Sequence, residues 1–244
     1  MSLRLRIVQV DVPASSLDEA TAFWAGALSA TPVRAPGGFV HLHDACAAVE
    51  VHLQSLDSGP ARYHLDLEVS GPDADRSAEV ARLVGLGASE GRTSADGYTV
   101  VRDPAGIPLC VIDPTAAPRN PLAPRDPDRG FLDAIFVDVP SVLQDVEVAF
   151  WAAALGSRAG RVVDEYVAID GVAGPGGAVD LEVQRIGGEP RVHVDVSAID
   201  VDAEAARLEA LGATRVARIA TWITLADPVG NLLCVVPATD GDDL

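Results

Sequence analysis

The chain has 244 residues, 48% of them hydrophobic, enough to bury one large core or two ordinary ones and too apolar for a disordered polypeptide. Its 36 acidic and 18 basic residues leave a formal charge of -18, which repels phosphate backbones and anionic membranes and argues against a nucleic-acid partner. Every basic residue is an arginine, and the absence of lysine excludes Schiff-base chemistry and a Walker-type phosphate loop, both of which need a lysine amine.

The first strand is expected over Leu5 to Val12, with Val8, Val10 and Val12 on one face and Ile7, Gln9 and Asp11 on the other, ended by Pro13. Ser15 and Ser16 offer N-caps for a helix that carries Ala20, Phe23, Trp24, Ala27 and Leu28 at helical spacing. Short strands follow at Phe39 to His43 and Val49 to Gln54, the second setting Glu50, His52 and Gln54 against Val49, Val51 and Leu53. A further strand spans Arg62 to Val69, and its alternation places Tyr63, Leu65, Leu67 and Val69 on an apolar face and Arg62, His64, Asp66 and Glu68 on a polar one. Such a polar row lines either water or a cavity. A second helix with Val80, Leu83, Val84 and Leu86 on one stripe closes at Gly87, and strands at Tyr98 to Arg102 and Leu109 to Ile112 flank the turn Asp103-Pro104-Ala105-Gly106. Thr115 to Arg129, with four prolines and neither period, reads as an extended linker.

The same text then returns roughly 125 residues later, the mark of a tandem duplication. Ala22-Phe23-Trp24 recurs as Ala149-Phe150-Trp151, the Arg-x-His-x-Asp strand recurs at Arg191, His193 and Asp195, and the turn recurs as Asp227-Pro228-Val229-Gly230. The expected organisation is domain one over 1–115, a linker over 116–129 and domain two over 130–244. The three cysteines, Cys46, Cys110 and Cys234, contain no C-x-x-C pair and read as thiols of a reducing compartment. Neither a signal-peptide core nor an apolar run of membrane-spanning length is present, so a soluble cytoplasmic protein without membrane partners is expected.

Paired strand-helix-three-strand modules, with Phe-Trp in the first helix and Asp-Pro-x-Gly before the last strand, resemble the vicinal oxygen chelate superfamily of glyoxalases, bleomycin-resistance proteins and extradiol dioxygenases, and its glyoxalase-like branch in particular. The resemblance implies an α+β fold in which four βαβββ modules pair into two half-open barrels with helices outside. It also implies a divalent metal held by four side chains, two from each module of a pair. Matched position by position, the first ligand falls near Ile7 or Gln9 and near Ala134 or Phe136. The second falls near Glu50 or His52 and near Asp180 or Glu182, and the third on His64 and His193. The fourth, a glutamate in the family, is Cys110 or Cys234 here, so the family's full set is absent from both halves.

A partial set of His64, Glu50 and Cys110 could hold a borderline-soft ion such as zinc, with nickel, manganese and iron as further possibilities. Domain one is the better candidate, since His41, His43, His52 and His64 lie on its polar strand faces whereas Ala168 and Asp170 replace His41 and His43 in domain two. Glu50 is the candidate catalytic base, and His52, Arg62, His64, Asp66, His193 and Trp222 are candidate ligand-binding residues. The alternatives are bland. His64 and His193 also read as structural histidines bonded to neighbouring Asp or Arg, the stronger reading for His193, and the two cysteines as small buried hydrophobes. Phe23-Trp24 and Phe150-Trp151 read as core. Trp222 stands on a strand with no evident aromatic counterpart in domain one, and the acidic tail Asp240 to Asp243 reads as a solvated end. The expected function is binding of a small molecule, with metal-assisted lyase, isomerase or dioxygenase chemistry. A metal-free, antibiotic-sequestering binder is the rival, in either case as a monomeric pseudo-dimer or a homodimer.

Overall fold

The structure is a computed structural model that describes residues 2–43, 45–46, 49–71, 74–89, 91–94, 97–114, 129–163, 165–170 and 179–238. The linker residues 115–128 and the acidic tail lie outside them. The first repeat runs β1 (Ser2–Pro13), α1 (Leu17–Ala27), β2 (Thr31–Ala35), β3 (Phe39–His43) and β4 (Glu50–Leu56), then β5 (Arg62–Ser70), α2 (Arg76–Gly85), β6 (Arg92–Thr93), β7 (Tyr98–Arg102) and β8 (Pro108–Ile112). The second repeats that order as β9 (Phe131–Pro140), α3 (Gln144–Ala154), β10 (Ala159–Val163), β11 (Tyr166–Ile169) and β12 (Asp180–Ile186), then β13 (Arg191–Ala198), α4 (Val201–Ala210), β14 (Thr214–Ile219), β15 (Trp222–Ala226) and β16 (Leu232–Pro237).

The strands form two eight-stranded mixed sheets, ordered β2-β3-β4-β1-β5-β8-β7-β6 and β10-β11-β12-β9-β13-β16-β15-β14, neither closed into a barrel. The α+β architecture of four βαβββ modules is thus as expected. Two strands of the first repeat escape the sequence pattern. β2 is exposed along almost its whole length and carries Pro32, and β6 has only two residues, so neither shows the alternation that betrays a half-buried strand.

Packing by contact divides the chain differently from the repeats. One compact unit comprises Met1–Val8, His64–Pro118 and Ile135–Val192, and the other Gln9–Tyr63, Arg119–Ala134 and His193–Leu244. Each unit therefore holds one module from each repeat.

In the first unit α2 packs on β7 and β8, and α3 on β10, β11 and β12. Arg82 of α2 donates through Nη1 to the carbonyl of Ala153 (2.9 Å) and through Nη2 to that of Ala154 (2.7 Å), satisfying carbonyls that the end of α3 leaves unpaired. Its Nε holds Glu79, 1% exposed, at 2.8 Å. The α2 stripe therefore buries a carboxylate beside Leu83, while Val80 and Val84 stay half-exposed, because the arginine neutralises it.

The second unit repeats the device with α4 and α1. Arg207 donates to the carbonyls of Gly26 (2.9 Å) and Ala27 (2.8 Å) at the end of α1 and holds the buried Glu204. Phe23 and Trp24 are 1% exposed and meet edge to face, the core role expected of them. Ser16 stands at the N-cap of α1 without a side-chain cap bond, so Asp18 and Glu19 in the first turn are left to balance the helix dipole. In α2 and α4, by contrast, Asp75 and Asp200 cap by accepting from the backbone N–H of Ala78 and Ala203.

Candidate functional site

The polar row of β5 does not face water. His64, Asp66 and Glu68 are 6%, 8% and 0% exposed. Residues two apart on a strand share a face, so His64 and Asp66 lie side by side, with Nε2 3.2 Å from Oδ1. The parallel pairing of β5 with β8 puts Cys110 opposite Asp66. A strand, a crossover helix and a returning strand thus bring three donor types together, and their ligand atoms lie within 4.8 Å of one another. Asp66 Oδ1 is buried and accepts no hydrogen bond from the described residues.

The arrangement is repeated by His193, Asp195 and Cys234, all at most 9% exposed. There β13 pairs in parallel with β16, Asp195 stands opposite Cys234, and Oδ1 of Asp195 lies 3.4 Å from Nε2 of His193.

Each cluster fits a divalent ion. Donors about 2.0–2.3 Å from a common zinc at tetrahedral angles are separated by roughly 3.3–3.8 Å, so three atoms within 4.8 Å of one another close on one ion with side-chain adjustments of about an ångström. The buried, unbonded carboxylate oxygen calls for a cation. A thiolate beside an imidazole and a carboxylate favours zinc, iron or nickel over hard, oxygen-loving ions such as manganese.

Glu50 and His52 lie two residues apart on β4, in the stretch Gln9–Tyr63 of the second compact unit. The Nε2–H of His52 donates to Glu50 Oε2 at 3.0 Å. His41 is the cross-strand partner of His52, and their rings stack at 4.0 Å with an 8° tilt. Burial, and then the neighbouring His52, push the His41 imidazole below its usual value. In the same unit Gln9, 1% exposed, has an Nε2 with no partner among the described residues.

Arg62 reaches the buried Asp11 (2.9 Å), and Arg191 repeats this with Asp138 (2.9 Å). The Arg-x-His-x-Asp motif therefore joins a strand-locking ion pair to a donor pair. Trp222 opens β15, half-buried, two residues before Thr224, which stands opposite Cys234. The reading that it lacks an aromatic counterpart is overturned by register. Tyr98 opens β7 two residues before Val100, which stands opposite Cys110, so Tyr98 holds the equivalent place.

Sequence reasoning missed a buried acid pair. Glu147 of α3, 0% exposed, accepts from the N–H of Ala105 at 2.5 Å, and Asp103 accepts from the N–H of Ile107 at 2.8 Å. Burial and then the charge of Asp103 push Glu147 up to about 8, and burial lifts Asp103 to about 6. No local signal marks Glu147, one acidic residue on an otherwise ordinary amphipathic helix.

The glyoxalase-like domain model matches residues 8–112 and 134–236. The chain belongs to the glyoxalase-like domain family. It is thereby a tandem member of the vicinal oxygen chelate superfamily, and solved structures agree on the fold. The 2,2',3-trihydroxybiphenyl 1,2-dioxygenase of Sphingomonas wittichii RW1 superposes with a TM-score of 0.65 at 15% identity, over 98% of this chain and 91% of that one. The Mn(II)-bound glyoxalase of Novosphingobium aromaticivorans gives 0.63 at 19% identity, over 96% and 81%. Homoprotocatechuate 2,3-dioxygenase of Brevibacterium fuscum, in complex with 3,4-dihydroxyphenylacetate, gives 0.65 at 17% identity, over 99% and 83%. No curated protein matches in sequence. Among the described residues no helix is long and apolar enough to cross a membrane.

Proposed function

We propose that this glyoxalase-like protein is a metal-assisted enzyme acting on a small oxygen-bearing molecule, with its principal site in the first repeat. The observation that carries this reading is the His64, Asp66 and Cys110 cluster, three unlike donors within 4.8 Å of one another, with a buried Asp66 Oδ1 whose contact is the His64 imidazole at 3.2 Å. A divalent ion held there supplies Lewis-acid polarisation of a substrate oxygen, in the service of lyase, isomerase or dioxygenase chemistry. Glu50, which accepts from His52 on β4 with the His41 ring stacked against that histidine, is a candidate general base carried by the other compact unit. The solved neighbours include a manganese-bound glyoxalase and ring-cleaving dioxygenases, which supports a metal-dependent member of the superfamily while leaving the substrate open.

The rival is a metal-free binding module of the antibiotic-sequestering kind. The His64–Asp66 contact favours it, because the two groups partner each other without an ion. Elemental analysis of untagged protein, after reconstitution with zinc, nickel, manganese or iron, separates the two. Stoichiometric metal that is lost in His64→Ala supports the enzyme, and absence of metal from both proteins after every reconstitution overturns it. The reading further places the protein in a reducing cytoplasm, consistent with Cys110 and Cys234 as buried thiols outside any disulfide. It assigns domains to 1–115 and 130–244, as a monomeric pseudo-dimer or a homodimer.

A further inference from the structure

We propose that the first compact unit contains a proton-operated switch in which Glu147 and Trp151 compete for Asp103: protonated, the acid pair holds itself together, and ionised, it releases Asp103 to the Trp151 indole. The switch uses none of the metal-donor residues and does not rest on the proposed function.

The second unit shows the switched state. Its turn is built like that of the first. The N–H of Asp103 donates to the carbonyl of Ile107 (3.0 Å) and that of Asp227 to the carbonyl of Asn231 (2.8 Å), and each Oδ1 accepts from the backbone N–H four residues on, at 2.8 Å. Each turn is bonded to a helix with a buried tryptophan, the first to α3 through Glu147 and the second to α1 through Trp24. Both indoles are 1% exposed. The decisive difference lies four residues before each tryptophan, where α1 has the buried Ala20 and α3 has Glu147. In the second unit the Trp24 N–H reaches Asp227 Oδ2 directly, at 3.0 Å, and the Asn231 amide adds a donor at 3.1 Å. In the first unit Ile107 offers no amide, and Glu147 is the helix residue that meets the turn. Three buried atoms there lack a hydrogen-bond partner among the described residues: Asp103 Oδ2, Glu147 Oε2 and Trp151 Nε1. The two carboxyl groups lie within reach of each other, but they bond only while one of them keeps a proton. The indole lies close enough to favour an ionised Glu147 yet makes no hydrogen bond.

Asp103 is the charge that faces Glu147. α3 packs on β10, β11 and β12, and the buried Ile169, Leu181 and Val183 of the last two are apolar. Asp180 and Glu182 alternate with Leu181 and Val183 and so point to the opposite face of β12, while Arg185, Arg161 of β10 and Asp145 of α3 are exposed. Glu79 and Arg82 of α2 neutralise each other at the far end of α3. No cation among these groups offsets a second negative charge. Burial and then Asp103 push Glu147 up to about 8, and burial lifts Asp103 to about 6. Between those values the pair shares one proton, and as pH rises through the upper one it leaves two carboxylates that repel. Asp103 is fixed by the N–H groups of its own turn, so the long Glu147 side chain is the one that moves. Its departure opens Asp103 Oδ2 to the indole. The alternative is a static pair whose proton comes and goes while the Trp151 N–H stays unbonded.

The full chain, isotope-labelled at tryptophan, gives three indole N–H resonances, from Trp24, Trp151 and Trp222, and Trp151→Phe identifies the one concerned. From about pH 5 to about pH 9 the Trp151 resonance is expected to move downfield with a midpoint near 8, as its N–H gains an acceptor, while that of Trp24 stays in place. Glu147→Ala should hold the Trp151 resonance at the downfield position at every pH, and Glu147→Gln, which cannot titrate, should hold it upfield. A wild-type resonance that stays fixed across the range overturns the switch and leaves the static pair. One that moves to a position different from that of Glu147→Ala assigns the new acceptor to Glu147 and overturns it as well. An unmoved Trp24 resonance reports that a variant is folded. Should Glu147→Ala fail that check, a flat Glu147→Gln beside a moving wild type supports the switch, and a Glu147→Gln protein that responds as the wild type does overturns it.

Discussion

Trp24 donates its indole Nε1–H to Asp227 Oδ2 at 3.0 Å across 203 residues of sequence. The first helix of the first repeat is thereby tied to the last Asp-Pro-x-Gly turn of the second. Asp227 is 3% exposed and also accepts from the backbone N–H groups of Val229 and Asn231 and from the Asn231 amide. Trp24→Phe keeps most of the ring volume but removes one donor from a buried carboxyl group. The expected cost is about 1–3 kcal/mol. In a chain of this size that lowers Tm by roughly 3–10 °C, and a calorimetric scan showing no shift would remove the bond from the account of stability.

Arg82 and Arg207 make the complementary ties. Each bonds two carbonyls at the end of a helix from the other repeat and neutralises a buried glutamate of its own helix. Alanine at either position strands Glu79 or Glu204 without its cation. The expected loss is about 2–4 kcal/mol per site, below the fully buried case because the guanidinium groups are partly exposed to solvent. The two arginines share no partner, so Arg82→Ala and Arg207→Ala should add to within about 0.5 kcal/mol in denaturant titrations. A strongly sub-additive double variant would show that one clamp already carries both.

The Glu147–Asp103 pair makes stability depend on pH. Both carboxyls titrate higher in the folded chain than in the unfolded one, Glu147 near 8 and Asp103 near 6. The folded state thus keeps protons that the unfolded chain releases around pH 4. Its stabilisation is complete below that pH and is lost as pH rises through the folded values. Glu147→Gln retains a donor toward Asp103 but does not titrate. Its Tm is expected to decline less than the wild type's between roughly pH 5 and pH 8, the two curves crossing in favour of the variant at the alkaline end. Parallel curves for the two proteins over that range would exclude Glu147 as a source of the pH dependence.

Zinc should stabilise the chain in proportion to the number of sites. At a free concentration of about 100 times Kd, each site adds about 2.7 kcal/mol. Thermal scans are expected to rise by roughly 5–10 °C per occupied site and to return on chelation. Cys110→Ser with Cys234→Ser in one chain should abolish the response. A double variant that still responds as the wild type does would place the zinc elsewhere.

Sequence alone determined the tandem βαβββ order, the buried Phe-Trp pairs and the alternation that sets His64 beside Asp66 and His193 beside Asp195. These features live on periods of two and 3.6 residues, so they are visible in any short window. Tertiary structure alone decided which cysteine completes each donor set, because Cys110 meets Asp66 only through the parallel pairing of β5 with β8 across an intervening helix. It also decided that Tyr98 answers Trp222, that Arg62 serves Asp11, and that Glu50 pairs with His52. The exchange of modules, in which Arg82 reaches α3 and Arg207 reaches α1, left no trace in local pattern. Contacts between residues far apart in the chain depend on which surfaces exclude water together, and no short period in the sequence records that choice.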